Sequence, residues 1–185
     1  MINDLLKDGD GRMVKSVQST SEKMGTVRTG RASPSLLDRI TVDYYGTSTP
    51  LNQLSNIAAT EARLLTVTPF DKTAMATIEK AITEADIGLT PNNDGNVIRL
   101  QIPDLTSERR ADMVKVARQI AEEGRISIRN IRREIMHDLK ALRESGEAGE
   151  DDEKRAESEM QKITDRHIGE IDSQLKNKES DLTEV

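Results

Sequence analysis

The chain has 185 residues and a mass of 20.6 kDa, room for one full core or two modest ones and too little for a large multidomain enzyme. Charged residues make up 32% and aromatic residues 2%, at a net charge of −6, and so few aromatic faces exclude a platform on which single-stranded bases stack. Cysteine is absent, which excludes disulfide scaffolds, cysteine zinc sites and thiol chemistry together and fits a cytoplasmic protein.

Residues 1–8 are interrupted by charge too early for a secretory apolar region, and no apolar run approaches about 18 residues. A soluble protein with no membrane partner is expected. High charge also suits disorder, but periodicity argues against that over most of the chain. From Ile2 to about Arg28, Leu6, Met13, Val17, Met24 and Val27 recur at helical spacing. Residues 31–103 are written differently. Ile40–Tyr45, Leu64–Thr68 and Val97–Ile102 read as strands, Lys72–Ala85 as a helix, and Asn92–Gly95 as a turn. Helical spacing returns from Thr106 to about Arg143 through Ala117, Ala121, Ile128, Ile131, Ile135, Leu139 and Leu142. At 1.5 Å per residue that helix is roughly 55–60 Å long. Thr106 suits its N-cap and Glu108 its first turn. A third helix begins near Asp152 and carries Met160, Ile163, Ile168, Ile171, Leu175 and Leu182.

Each long helix has one narrow apolar stripe, which it cannot bury alone. The expected architecture is α+β: an elongated three-helix bundle from residues 1–30 and 104–185, with a small β/α/β domain, residues 31–103, inserted. The pattern alone also admits an extended dimeric coiled coil. Two connections join the parts, at Thr29, Gly30 and Arg31 and at Pro103, Asp104 and Leu105. Glycine there supplies backbone freedom, and Pro34 and Pro103 stiffen the flanks, so a hinge is permitted but not free tumbling.

The acidity is unevenly placed. Residues 145–185 carry a net charge of −7, whereas residues 109–133 hold eight basic side chains against three acidic ones. At about 100° per residue, Arg118, Arg125, Arg129, Arg132 and Arg133 fall within an arc of ~100° beside the apolar stripe. Guanidinium forks along a rod suit nucleic-acid backbone. The same residues also suit a solvated face paired with Glu122, Glu134 or the acidic third helix. Arg129–Arg133 is the stretch least easily explained by pairing within the helix.

No constellation assembles an active site. His137 and His167 lack ligand spacing and read as surface or boundary residues. The calcium-like run at Asp10-Gly11 fails because Leu6 falls at the first loop position and Val17 at the last, and the run at Asn92 fails because Val97 stands where Gly is needed and Pro103 where Glu is needed. Phosphate-loop and nucleophile-elbow sequences are missing. The methionines read as core or boundary residues, and Asp151 and Asp152 as part of a solvated charged turn. No catalytic residue, cofactor or metal is expected, and the chain is not expected to be an enzyme.

Several segments together resemble the ribosome recycling factor family: Arg28-Thr29-Gly30-Arg31-Ala32-Ser33-Pro34, Tyr44-Tyr45-Gly46 with Thr49-Pro50-Leu51, Gly88-Leu89 with Pro91-Asn92, Leu105-Thr106 with Glu108-Arg109-Arg110, Arg129-Asn130-Ile131-Arg132-Arg133, and Glu150-Asp151-Asp152. The resemblance covers essentially the whole chain. It implies a three-helix bundle with an inserted domain, L-shaped overall, and a monomer that acts on the bacterial ribosome after peptide release. It implies elongation factor G as partner, with GTP hydrolysed by that partner, so that the subunits separate and messenger and transfer RNA leave. It also implies that the bundle binds large-subunit ribosomal RNA, with Arg110, Arg129, Arg132 and Arg133 as matching contact candidates. Arg28 and Arg31 match at the connection, where they either contact RNA or stabilise the hinge, and Arg118 and Arg125 are secondary candidates. Gly9 and Gly11 depart from the better helix formers of the family at about 1 kcal/mol each, and predict fraying or a kink before Arg12.

Overall fold

Helical spacing at both ends of the chain becomes long helices, and the β-branched middle becomes strands. The computed structural model describes residues 1–183. Its elements are α1 (Ile2–Gly25), β1 (Thr41–Tyr44), β2 (Thr47–Pro50), α2 (Leu51–Leu54), β3 (Ser55–Glu61), β4 (Leu64–Pro69), α3 (Met75–Glu84), β5 (Pro91–Asn93), β6 (Ile98–Gln101), α4 (Ser107–Glu144) and α5 (Glu150–Thr183). Short 3-10 turns lie at Pro34–Leu37 and Lys72–Ala74. The chain divides into two compact units, one of Met1–Thr29 with residues 107–183 and one of Gly30–Thr106.

In the first unit the stripes of α1, α4 and α5 face one another. Met13, Val17 and Met24 meet Ala117, Ala121, Ile128, Ile135 and Leu139, together with Ala156, Met160 and Ile171, in one buried cluster. Burying each large apolar side chain stabilises the bundle by about 1.5–3 kcal/mol. Two glycines set how closely the helices approach. A Cβ on Gly9 would stand 3.0 Å from Ile135 Cγ1 and 3.1 Å from Met160 Sδ, and one on Gly124 would lie 2.9 Å from Ile171 Cδ1. The kink or fraying expected before Arg12 is not seen. The helix α1 runs unbroken through both glycines: Gly9 packs tightly against Ile135 and Met160, while Gly11 faces open space. It stops at Gly25 rather than near Arg28, where the Thr26 and Val27 N–H groups turn back to the Lys23 and Met24 carbonyls.

A glycine-centred cap ends α4. Gly146 takes φ +78°, its N–H donates to the Arg143 carbonyl, and the Glu147 N–H donates to the Leu142 carbonyl, both at 3.0 Å. The acids expected in a charged turn belong instead to the first turn of α5, with Glu150, Asp151, Asp152 and Glu153 at its positive end. Glu153 is buried there and bonds Arg143 Nη1 at 3.1 Å.

His167 also differs from its expected boundary position. It is 2% exposed because its place on α5 continues the stripe of Met160, Thr164 and Ile171 toward α1. Its Nε2 lies 2.6 Å from Asp10 Oδ1, which also accepts from Arg166 Nη2 at 2.6 Å, and its Nδ1 lies 3.4 Å from Glu170 Oε1. The bond to His167, and then that to Arg166, hold the Asp10 carboxyl below its ordinary value. His137 is exposed, as expected.

The second unit has more strands than the three expected. A four-stranded antiparallel sheet has the order β3-β4-β6-β5, and β1 and β2 form a separate hairpin. The strands without a sequence signal are polar or short: β3 and β5 are sheet edges, and β2 is a largely exposed half of the hairpin. Period-2 burial marks the central strands, where Leu65 and Val67 of β4 and Ile98 and Leu100 of β6 are wholly buried with Val42, Ile78 and Ile82. At the β1–β2 turn Tyr45 and Gly46 both have positive φ, and Asp43 Oδ1 accepts from the Gly46 N–H at 2.9 Å. The β5–β6 turn begins at Asp94, later than expected, because Asn92 and Asn93 pair within β5. Asp94 Oδ1 accepts from the Asn96 and Val97 N–H groups at 3.0 and 2.9 Å, and these bonds and Arg99 hold its carboxyl at about 2.

The outgoing and returning chain run together inside this unit. Leu105 Cγ would stand 3.4 Å from a Cβ on Gly30, whose φ is +76°. The Ala32 N–H donates to the Ala62 carbonyl and the Ile102 N–H to the Arg63 carbonyl, both at 2.8 Å. Arg63 is also ion-paired with Asp104. These ties lie within the inserted unit, which runs from Gly30 to Thr106.

Candidate nucleic-acid interface

The five arginines of the α4 arc share one side of a helix, but their partners separate them into two groups. Toward its N-terminal end, Arg118 Nε donates to Glu179 Oε1 at 2.6 Å. Arg125, with a side chain 19% exposed, donates through Nε to Asp172 Oδ1 and through Nη1 to Glu122 Oε2, each at 2.8 Å. Burial works against its charge, but the bonds to Glu122 and Asp172 outweigh it and raise its affinity for the proton. Arg129 Nη1 reaches the other oxygen of Glu122 at 3.0 Å. Bonds from Arg125 first and then Arg129 keep the Glu122 carboxyl below its ordinary value.

The C-terminal pair is held differently. Arg132, half-buried, donates through Nη1 to the amide oxygen of Gln161 on α5, and its Nε is buried without a hydrogen-bond partner. Arg133, exposed, donates through Nη2 to Asn130 Oδ1. Among the described residues neither meets a carboxylate. Glu134, the nearest acid in sequence, is taken by Arg12 of α1 instead. The arc therefore divides by what its arginines meet. Arg118 and Arg125 are neutralised by α5 and Glu122, Arg129 shares Glu122, and Arg132 and Arg133 keep uncompensated charge.

The remaining candidates lie outside this patch. Arg110 is half-buried near the start of α4, Arg28 is exposed beyond the end of α1, and Arg31 is half-buried in the inserted unit. Of the connection residues, Thr29 belongs to the bundle unit and Gly30, Arg31, Pro103, Asp104 and Leu105 to the inserted one. The sequence reading missed Gln161 and the role of Arg12. Both act across helix pairs, and no spacing within a single helix signals such an interaction. Among the described residues no helix is long and apolar enough to cross a membrane.

The family model for ribosome recycling factor matches residues 20–182. The chain belongs to the ribosome recycling factor family. It is 51% identical over 180 residues to the ribosome-recycling factor of Rubrobacter xylanophilus, covering 97% of each chain. It is 49% identical over 185 residues to that of Bacillus subtilis, covering all of both. Among solved structures it is similar to a solution structure of the ribosome recycling factor, with a TM-score of 0.81 and 37% identity over 100% of this chain and 98% of the other. It is also similar to the T. thermophilus factor in a model in which that factor and E. coli elongation factor G are bound to the E. coli post-termination complex, with a TM-score of 0.70 and 43% identity over 98% of each. These likenesses carry the bundle and the small sheet domain together.

Proposed function

We propose that this chain recycles bacterial ribosomes after termination. With elongation factor G and GTP it separates the post-termination ribosome into subunits, so that messenger RNA and the deacylated transfer RNA leave. The observation that carries this reading is the family match over nearly the whole chain, joined to a related factor bound with elongation factor G on a post-termination complex. In this reading the protein is a cytoplasmic, monomeric translation factor without a reaction of its own, and GTP is hydrolysed by the partner.

Arg132 and Arg133, with Arg129 beside them, supply phosphate contacts to large-subunit RNA, because among the described residues the guanidinium groups of Arg132 and Arg133 meet no carboxylate. Arg118 and Arg125 contribute less, since binding RNA would require them to leave carboxylate partners. Arg110, Arg28 and Arg31 are further RNA-binding candidates by position in the family motifs. The connections at Thr29–Arg31 and Pro103–Leu105 form the hinge about which the inserted unit turns, converting a push from elongation factor G into strain at an inter-subunit bridge.

The test is light scattering from post-termination bacterial ribosomes mixed with this protein, elongation factor G and GTP. A fall that requires all three is expected. Binding to ribosomes without a fall, when elongation factor G comes from the same organism, would overturn the recycling role and favour a blocking one.

A further inference from the structure

Among the described residues, Arg132 is the only arginine of the α4 arc fastened to a neighbouring helix by a neutral group. Its partner, Gln161, is itself fixed: Gln161 Nε2 donates to Asp165 Oδ1, one turn further along α5, at 2.8 Å. The chemistry sets the amide's orientation. A carboxylate only accepts and a guanidinium only donates, so the NH2 of Gln161 must face Asp165 and its oxygen must face Arg132. Asp165 thus orients the amide without forming an ion pair with Arg132. Glu179 and Asp172 occupy comparable positions on α5 opposite Arg118 and Arg125, and there they pair directly.

We infer that Gln161 is a positioning residue for Arg132, holding its guanidinium through an amide oriented by Asp165 and leaving its positive charge available to an RNA phosphate. The inference rests on the reading of Arg132 as an RNA-binding residue and deepens it. A carboxylate at this place would hold the same geometry but would satisfy the charge internally, as it does at Arg125. An apolar side chain would leave the charge but release the guanidinium to more rotamers. The amide supplies order without neutralisation, and the Nε of Arg132 is itself buried.

The test is the affinity of the full-length protein for bacterial large ribosomal subunits across a salt series. Four variants are compared with wild type: Gln161→Glu, Gln161→Met, Arg132→Ala and the double variant Gln161→Glu/Arg132→Ala. Gln161→Glu should weaken binding about tenfold, as expected when one charged hydrogen bond to RNA is removed, and should lower the salt slope by about 0.7–0.9, the share of a single neutralised phosphate. Gln161→Met should weaken binding about threefold, the effect of a side chain no longer pre-ordered, with the slope unchanged. Gln161→Glu should change nothing further when Arg132 is already alanine. Wild-type affinity and slope for Gln161→Glu, alongside weakened binding for Arg132→Ala, would overturn the inference and leave the RNA reading intact. An equal loss from Gln161→Glu with and without Arg132 would overturn it too, since Gln161 would then act by another route. No effect of Arg132→Ala would remove the RNA reading of Arg132 and the inference together.

Discussion

Gly124 of α4 faces the side chain of Thr20 of α1 with no room for a Cβ between them: a methyl group there would collide with Thr20 Oγ1. Thr20 cannot easily move aside, because it is 4% exposed and its hydroxyl donates to the Ser16 carbonyl at 2.8 Å. The close approach fixes the α1–α4 spacing at the cost of a glycine in mid-helix.

Gly124→Ala should therefore destabilise the bundle even though alanine is the better helix former. Relief of helix propensity gives back about 1 kcal/mol, and overpacking costs about 1–3 kcal/mol, so urea unfolding should show a lower midpoint. Gly11→Ala is the control. With nothing within 4 Å of its Cβ, it should raise stability by up to ~1 kcal/mol. A stabilised Gly124→Ala protein would refute the close-packing account.

The arginine arc yields a graded expectation. Arg132→Ala and Arg133→Ala should each weaken ribosome binding and reduce its salt slope by the equivalent of about one phosphate. Arg118→Ala should change the slope less, because its charge is already met by Glu179. Salt-dependent binding curves separate these cases, and equal slopes for all three variants would show that internal pairing does not select the RNA-binding arginines.

Acid should loosen the α1–α5 packing in a specific window. Asp10 is held below its ordinary value of 3.8 by His167 and Arg166. Its contribution is fully present above that ordinary value and is lost as the pH falls through the depressed folded value. Asp10→Asn should therefore be less stable than wild type near pH 6, and the difference should shrink on acidification below about pH 4. Denaturation midpoints measured at several pH values check this, and a gap that stays constant to low pH would contradict it.

The end of α4 supplies a conformational test. Gly146 has φ +78° with no atom crowding its Cβ, so only backbone strain opposes a side chain. Gly146→Ala should cost about 1–2 kcal/mol, whereas Gly146→Asn should cost less, as asparagine tolerates this region better. Equal thermal stability of the two variants would place the constraint elsewhere.

Much of this architecture follows from the sequence alone. Repeats of apolar residues at three and four set the bundle helices, and alternation set the central strands β4 and β6, because both periodicities report a single buried face. The family motifs and the arginine arc are also local in sequence. What the sequence could not determine depends on which faces meet. Polar edge strands such as β3 and β5 carry no alternation, since neither of their faces is fully buried. His167 reads as a boundary residue until α1 brings Asp10 to it, and Gly9 reads as a helix breaker until Ile135 and Met160 pack tightly against it. The division of the arc belongs to the same class. Arg125 and Arg132 look equivalent on a helical wheel, and only the packing of α5 gives one a carboxylate and the other an amide. Charge compensation is a property of distances between helices, and those are set by tertiary packing rather than by the order of residues along any one of them.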